Sequence, residues 1–134
     1  MVLSQKNIIL GVTGGIAAYK CAELVRQLRK KGAQVKVIMT RAAKSFVAPL
    51  TLQTLSGNIV HEDLMLMEND TSINHIALAR WADLILIAPA TANFLADLTC
   101  GRANNLLATV CLATVKTIAV APSMNKQMWL NPIT

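Results

Sequence analysis

Aromatic residues make up only 4% of this 134-residue chain, so aliphatic side chains have to build its core. The same scarcity argues against a single-stranded nucleic-acid face, which needs rings interleaved with cations. Charged residues are also few, at 15%. No apolar run reaches the roughly 18 residues needed to cross a bilayer, so no membrane partner is expected. Met1 to Asn7 is polar and has no apolar h-region, so no secretory signal is expected either. The three cysteines, Cys21, Cys100 and Cys111, are too scattered for a disulfide framework and form no Cys-x-x-Cys pair. A reducing, cytoplasmic setting fits, with no metal.

What the chain has is aliphatic bulk. Hydrophobic residues reach 54% and mean hydropathy is +0.46, rich for one domain of this length. A sheet covered on both faces, or an oligomer that hides further apolar surface, accounts for that. Residues 1–134 are expected to form a single domain. The 13 basic residues outnumber the 7 acidic ones, giving a net charge of +6. The densest basic cluster, Arg29-Lys30-Lys31, falls in the last turn of an expected helix before Gly32. Cations there complement the helix dipole, which is the simpler reading against a nucleic-acid patch. Small anionic ligands remain compatible with the charge.

The pattern along the chain alternates strand and helix. Lys6 to Val12 is an apolar run that ends in Thr13-Gly14-Gly15. Ile16 to Lys31 repeats apolar residues at helical spacing (Ala17, Cys21, Leu24, Val25, Leu28), with Gly32 as the stop. Ala33 to Thr40 is rich in β-branched residues and forms the second strand. Arg41 to Ser56 reads as two short helices broken at Pro49 and closed by Gly57-Asn58. His61 to Thr71, the most polar stretch, is expected to be a loop with a solvated His61. Ile73 to Trp81 is helical. Leu84 to Ala88 is a central buried strand ending at Pro89. Ala90 to Leu112 is helical with a break near Gly101. Thr117 to Ala121 is a fourth strand ending at Pro122, and Asn125 to Leu130 a last short helix.

This order indicates a doubly wound α/β fold with a parallel sheet in three layers. Such sheets bind ligands beyond the carboxyl ends of their strands, where strand order reverses. Thr13-Gly14-Gly15, Thr40, Pro89 to Asn93 and Pro122 to Asn125 all fall at such ends.

Each of these segments has a functional and a structural reading. Gly14 and Gly15 let backbone N–H groups approach a phosphate at a helix start, or they simply make a tight turn. The full G-x-G-x-x-G pattern is missing, and Thr40 stands where a dinucleotide site wants an acid at the end of strand two. A mononucleotide is therefore favoured over NAD. In Pro89-Ala90-Thr91-Ala92-Asn93, small residues permit close approach while Thr91 and Asn93 offer a hydroxyl and an amide. Thr91 serves equally as an N-cap. His75 carries an imidazole suited to proton transfer, although a lone histidine is more often a surface or capping residue. The Asn125 amide follows a strand end, where it can grip a carboxylate. Met124 and Met128 either wall an apolar slot or fill core.

Four segments taken together, GVTGGIAAYK (Gly11 to Lys20), HIALARWAD (His75 to Asp83), PATAN (Pro89 to Asn93) and PSMNKQMW (Pro122 to Trp129), resemble the flavin-containing cysteine decarboxylases. That family includes the phosphopantothenoylcysteine decarboxylases. The matches run in family order through nearly the whole chain, and PSMNKQMW fits P-x-M-N-x-x-M-W at every fixed position. The resemblance implies a flavodoxin-like (Rossmann-like) sheet holding FMN. Cofactor contacts would come from Gly14, Gly15, Ile16, Thr40, Ala90, Thr91, Ala92 and Asn93. It implies catalytic roles for His75 and Asn125, and substrate contacts from Asn125, Met124 and Met128. The implied substrate is a small thiol bearing phosphate and carboxylate, 4'-phosphopantothenoylcysteine, converted to 4'-phosphopantetheine on the route to coenzyme A. Oxidation of its cysteine moiety to a thioaldehyde gives the departing carboxylate an electron sink. The resemblance further implies a homo-oligomer, a trimer or a dodecamer of trimers, in which His75 serves a neighbour's flavin. A fused CTP-dependent ligase domain is implied by the bifunctional bacterial members.

Two departures from the family pattern stand out. Members continue into a substrate-covering flap with a cysteine that assists the final reduction. Here the sequence stops at Thr134, so a domain cropped at its C-terminus is expected. Asn104-Asn105 stands where relatives usually carry one aspartate. Rival readings are a lantibiotic-type peptide cysteine decarboxylase, a non-catalytic FMN-binding regulatory subunit, and a flavodoxin-like electron carrier, the last disfavoured by the basic charge.

Overall fold

A computed structural model describes residues 2–62 and 71–134. Five parallel strands form one sheet: β1 (Asn7–Val12), β2 (Gln34–Met39), β3 (His61–Glu62), β4 (Leu84–Ala90) and β5 (Thr117–Pro122). Their spatial order is β3-β2-β1-β4-β5. Without the two-residue β3, the four long strands run second, first, third, fourth, the flavodoxin order. The helices are α1 (Cys21–Lys30), α2 (Pro49–Ser56), α3 (Thr71–Trp81), α4 (Ala92–Cys100), α5 (Leu106–Ala113) and α6 (Lys126–Leu130). Short 3₁₀ turns at Ile16–Lys20 and Ala42–Ser45 precede α1 and α2.

Strand alternation sorts the core into two layers. Ile8, Leu10 and Val12 face one way and pack with Val35, Val37 and Met39 against Val25 of α1 and Leu52 of α2. Ile9 faces the other way and joins Ile38, Ile85 and Ile87 beneath Leu78 of α3, Phe94 of α4 and Leu107 of α5. A sheet buried on both faces explains the near-continuous apolar strands. Gly11 lies on the second face, where a Cβ would come within 2.6 Å of Leu107 Cδ1. The α5 helix seats directly on β1 for that reason.

Helix ends follow the sequence signals. Gly32, Gly57 and Gly101 all adopt positive φ, the left-handed stop that glycine tolerates. Pro49 opens α2 at its first turn, where its missing N–H leaves no bond unmade. The basic run ends α1 as expected, and Arg29 Nη1 also donates to Leu55 O at 2.8 Å, capping α2 as well.

Three expectations need correction. The polar segment was expected to be a loop, but His61–Glu62 pairs in parallel with Ile38–Met39 as a sheet edge; residues 63–70 lie outside the described residues. The strand expected to end at Pro89 continues to Ala90, which pairs with Pro122 past an irregularity in the ladder, because a strand end tolerates a residue without an N–H. Thr117–Pro122 is accordingly the fifth strand.

His61 is half-buried rather than solvated. Burial first, and Lys36 second, push its pKa below the ordinary 6.5. The folded chain thus holds a neutral imidazole while the unfolded chain would protonate. Stability contributed this way is full above pH 6.5 and falls as pH drops from there toward the lowered folded value. Thermal melts between pH 7 and about 5 are expected to show a shallower acid loss in His61→Gln than in the parent. Parallel slopes would contradict this.

Candidate functional site

The chain reverses direction across the sheet between β1 and β4, and the loops at these two carboxyl ends are tied together. Thr13, only 2% exposed, donates its hydroxyl to Pro89 O and accepts from Thr91 N at 3.2 Å. Thr40 at the tip of β2 donates its amide to Val12 O at 3.0 Å, and Ser123 at the tip of β5 donates its amide to Ala90 O at 3.0 Å. A Cβ placed on Gly15 would lie 3.5 Å from Thr91 Cγ2, so the first and fourth tips touch. The structure thus brings Gly14, Gly15, Thr40, Thr91 and the segment before Asn125 to one edge of the sheet.

The two glycines differ in their reasons. A Cβ on Gly14 would meet Ala42 Cβ at 2.4 Å and the Ala42 carbonyl carbon at 2.9 Å, so Gly14 is required by packing. Gly15 has open space, yet its amide is committed to Thr13 O at 3.1 Å. Gly15 N–H thus has a partner within the turn. The first intrahelical bond runs from Ala18 N to Gly15 O, which leaves the amides of Ile16 and Ala17 without an acceptor inside the helix. These two amides are open to an acceptor from outside the helix.

Thr91 caps α4, its hydroxyl accepting from Phe94 N at 3.2 Å. Ala92 and Asn93 follow in the first turn, half-buried and exposed respectively. Ala90 is fully buried and shapes the tip from beneath rather than lining it. Cys21 donates its thiol to Ala88 O at 3.0 Å, and burial pushes that thiol up to about 11.

Asn125 caps α6, its Oδ1 accepting from Met128 N at 2.9 Å. Since that N–H needs an acceptor, the cap fixes the amide's orientation and turns Nδ2 away from the helix. Met124 precedes the cap, so Met124 and Met128 do not share a helical turn, contrary to the spacing argument. Met124 instead stands at N' opposite Trp129 at N4, the positions of a hydrophobic staple. Both line an open cleft of ≈ 390 Å³ with Pro122 and Ser123. Trp129, 56% exposed, and Thr13 lie in segments that the sequence singles out without giving either residue a role. The signal for Thr13 was a hydroxyl ending a buried strand, which has to find a partner.

His75 occupies the fifth position of α3 and is half-buried. The other end of α3 sits at the amino ends of the strands, where Asn7 Nδ2 donates to Trp81 O at 3.1 Å. Six residues at 1.5 Å each put His75 about 9 Å along the helix from that end, toward the carboxyl ends of the strands. Asn105, at the departure from the family pattern, caps α5 by accepting from Ala108 N at 2.8 Å. Asn104 Oδ1 accepts from Asn105 Nδ2 at 3.1 Å, so this pair has a structural use. Among the described residues no cluster suits a metal ion, and no helix is long and apolar enough to cross a membrane.

The tip residues fit a flavin mononucleotide. Paired amides and Thr40 suit a phosphate, the open Gly15 side and Ala92 leave room for a flat ring system, and Trp129 and Met124 wall an open cleft of mixed polarity. The tips of β1 and β5, two strand spacings apart, are about 10 Å from each other.

Residues 2–134 match the Flavoprotein family. The coenzyme A biosynthesis bifunctional protein CoaBC of Haemophilus influenzae is 54% identical over the whole chain, which covers 34% of that protein. The chain thus spans about a third of the length of these bifunctional relatives. A probable phosphopantothenoylcysteine decarboxylase of Streptococcus mutans is 52% identical over 96% of the chain and 73% of that protein. Among solved structures, the FMN-dependent cysteine decarboxylase SpaF superposes with a TM-score of 0.87 at 30% identity, covering 97% of this chain and 75% of its own. A PPC decarboxylase mutant complexed with pantothenoylaminoethenethiol superposes with a TM-score of 0.80 at 31% identity, covering 96% and 72%.

Proposed function

The chain belongs to the Flavoprotein family, and on that premise we propose that it uses FMN to decarboxylate 4'-phosphopantothenoylcysteine to 4'-phosphopantetheine in coenzyme A biosynthesis. The observation that carries the reading is the Asn125 amide, held by its own helix cap at the strand tip next to the tied β1 and β4 loops. The 52–54% identity to coenzyme A enzymes, against 26% to the peptidyl-cysteine decarboxylase EpiD, favours the small-molecule substrate.

Bound FMN would take two electrons from the thiol-bearing carbon, letting CO2 leave β to a C=S group, and would return them to the resulting enethiol, so that the net reaction is redox-neutral. The protein's own work is positioning. The Ile16 and Ala17 amides and Thr40 hold the cofactor phosphate, and Thr91, Ala92 and Asn93 line the ring. Asn125 Nδ2 donates to the substrate carboxylate and orients it for loss. Met124, Met128 and Trp129 exclude water from the chain of the substrate. His75 serves as the proton-transfer group. It acts on a neighbour's flavin, in a homo-oligomer of trimers. The basic charge balance suits a substrate with phosphate and carboxylate. Free Cys21, Cys100 and Cys111 suit a cytoplasmic enzyme, and the bifunctional relatives favour a fused ligase domain.

The test is to add phosphopantothenoylcysteine, or a peptide ending in cysteine, to the purified protein while following the visible flavin band and CO2. Bleaching with CO2 release for the first compound alone is expected. Turnover of the peptide alone would move the protein to the peptide decarboxylases, and no response to either would refute the decarboxylase reading.

A further inference from the structure

We propose that Thr13 is the positioning residue of this site, a latch that locks the β4 tip to the β1 tip so that both reach the flavin as one wall. The inference rests on the FMN reading above. It begins from a gap in the sheet. The β1–β4 ladder runs from Ile8↔Leu84 to Gly11↔Ile87, and the irregularity in β4 follows at once, between Ile87 and Ala90. Beyond that point the β1–β4 ladder stops, and Pro89 has no N–H to offer.

Side chains bond the backbone there. The Cys21 thiol donates to Ala88 O, and the Thr13 hydroxyl both donates to Pro89 O and accepts from Thr91 N. A hydroxyl does both at one atom. The Thr13 carbonyl meanwhile accepts from Gly15 N. One buried residue therefore fixes the turn that aims the Ile16 and Ala17 amides and the loop that starts α4 at Thr91. A separation of these two loops would spread the phosphate donors from the ring contacts without disturbing either hydrophobic layer.

The test is a titration of flavin-stripped protein with FMN, read by flavin fluorescence, on the parent and three variants. Thr13→Val keeps the shape and removes both bonds. It is expected to bind FMN about 10- to 100-fold more weakly, the range for leaving buried polar groups unpaired. Thr13→Ser retains the hydroxyl and is expected to stay within about threefold of the parent. Val35→Ala, a core deletion at the amino end of β2, controls for general destabilisation: a lower melting temperature with unchanged FMN affinity. Wild-type affinity in Thr13→Val, or equal losses in Thr13→Val and Val35→Ala, would overturn the latch while leaving the FMN reading intact. A parent chain that takes up no FMN would overturn the FMN reading, and the latch with it. If Thr13→Val folds poorly, Thr13→Cys replaces it: its weaker hydrogen-bonding thiol should give an affinity between serine and parent on one side and Val on the other, and parental affinity would overturn the latch.

Discussion

Gly14→Ala is expected to lose both stability and flavin. The new Cβ would sit 2.4 Å from Ala42 Cβ and 2.9 Å from the Ala42 carbonyl carbon, and backbone cannot step aside as a side-chain end can. Overpacking of this kind destabilises by about 1–3 kcal/mol, which lowers the melting temperature by roughly 3–10 °C in a domain of this size. Relief of the clash has to move the turn that carries the Ile16 and Ala17 amides, so FMN affinity falls at least about tenfold. Gly15→Ala is the matching comparison. Its Cβ meets only the Thr91 methyl at 3.5 Å, and its φ of −149° is extended, so the fold should tolerate it. Flavin affinity should still fall, because the methyl enters the open side of the tip. A melting temperature for Gly14→Ala equal to the parent's would show that the two 3₁₀ segments part easily.

Asn125→Asp separates two jobs done by one side chain. Aspartate caps a helix as well as asparagine does and suits the positive end of the helix dipole, so α6 and the melting temperature should be unchanged. It cannot donate, and its negative charge opposes a substrate carboxylate. Loss of a hydrogen bond to a charged group accounts for about 10- to 100-fold, and repulsion adds to it, so CO2 release should drop by about 100-fold or more with FMN still bound. The check is single-turnover CO2 release from flavin-saturated protein beside a thermal melt. Normal turnover in Asn125→Asp would remove Asn125 from the reaction.

The two tight βα turns after β1 and β4 were legible in the sequence because glycine, threonine and proline punctuate apolar runs that have no other way to be buried. Strand and helix order followed from the same runs. The short edge strand was hidden: His61–Glu62 carries no apolar signal, and only backbone pairing with Ile38 and Met39 makes it a strand. Composition could not reveal which groups were already committed. Gly15 N–H looked available until Thr13 O took it, and Met124 seemed to share a helix with Met128 until Asn125 proved to be the cap. Thr13 itself read only as the start of a glycine turn, since its partners lie 76 and 78 positions away.

Crystals grown with FMN measure the central claim most directly. The account predicts density at the carboxyl ends of β1, β4 and β5, with the phosphate on the Ile16 and Ala17 amides beside Thr40 and the ring edge toward Asn125 Nδ2. Flavin bound at any other face, or strand tips filled by the protein's own side chains in flavin-saturated crystals, would contradict it.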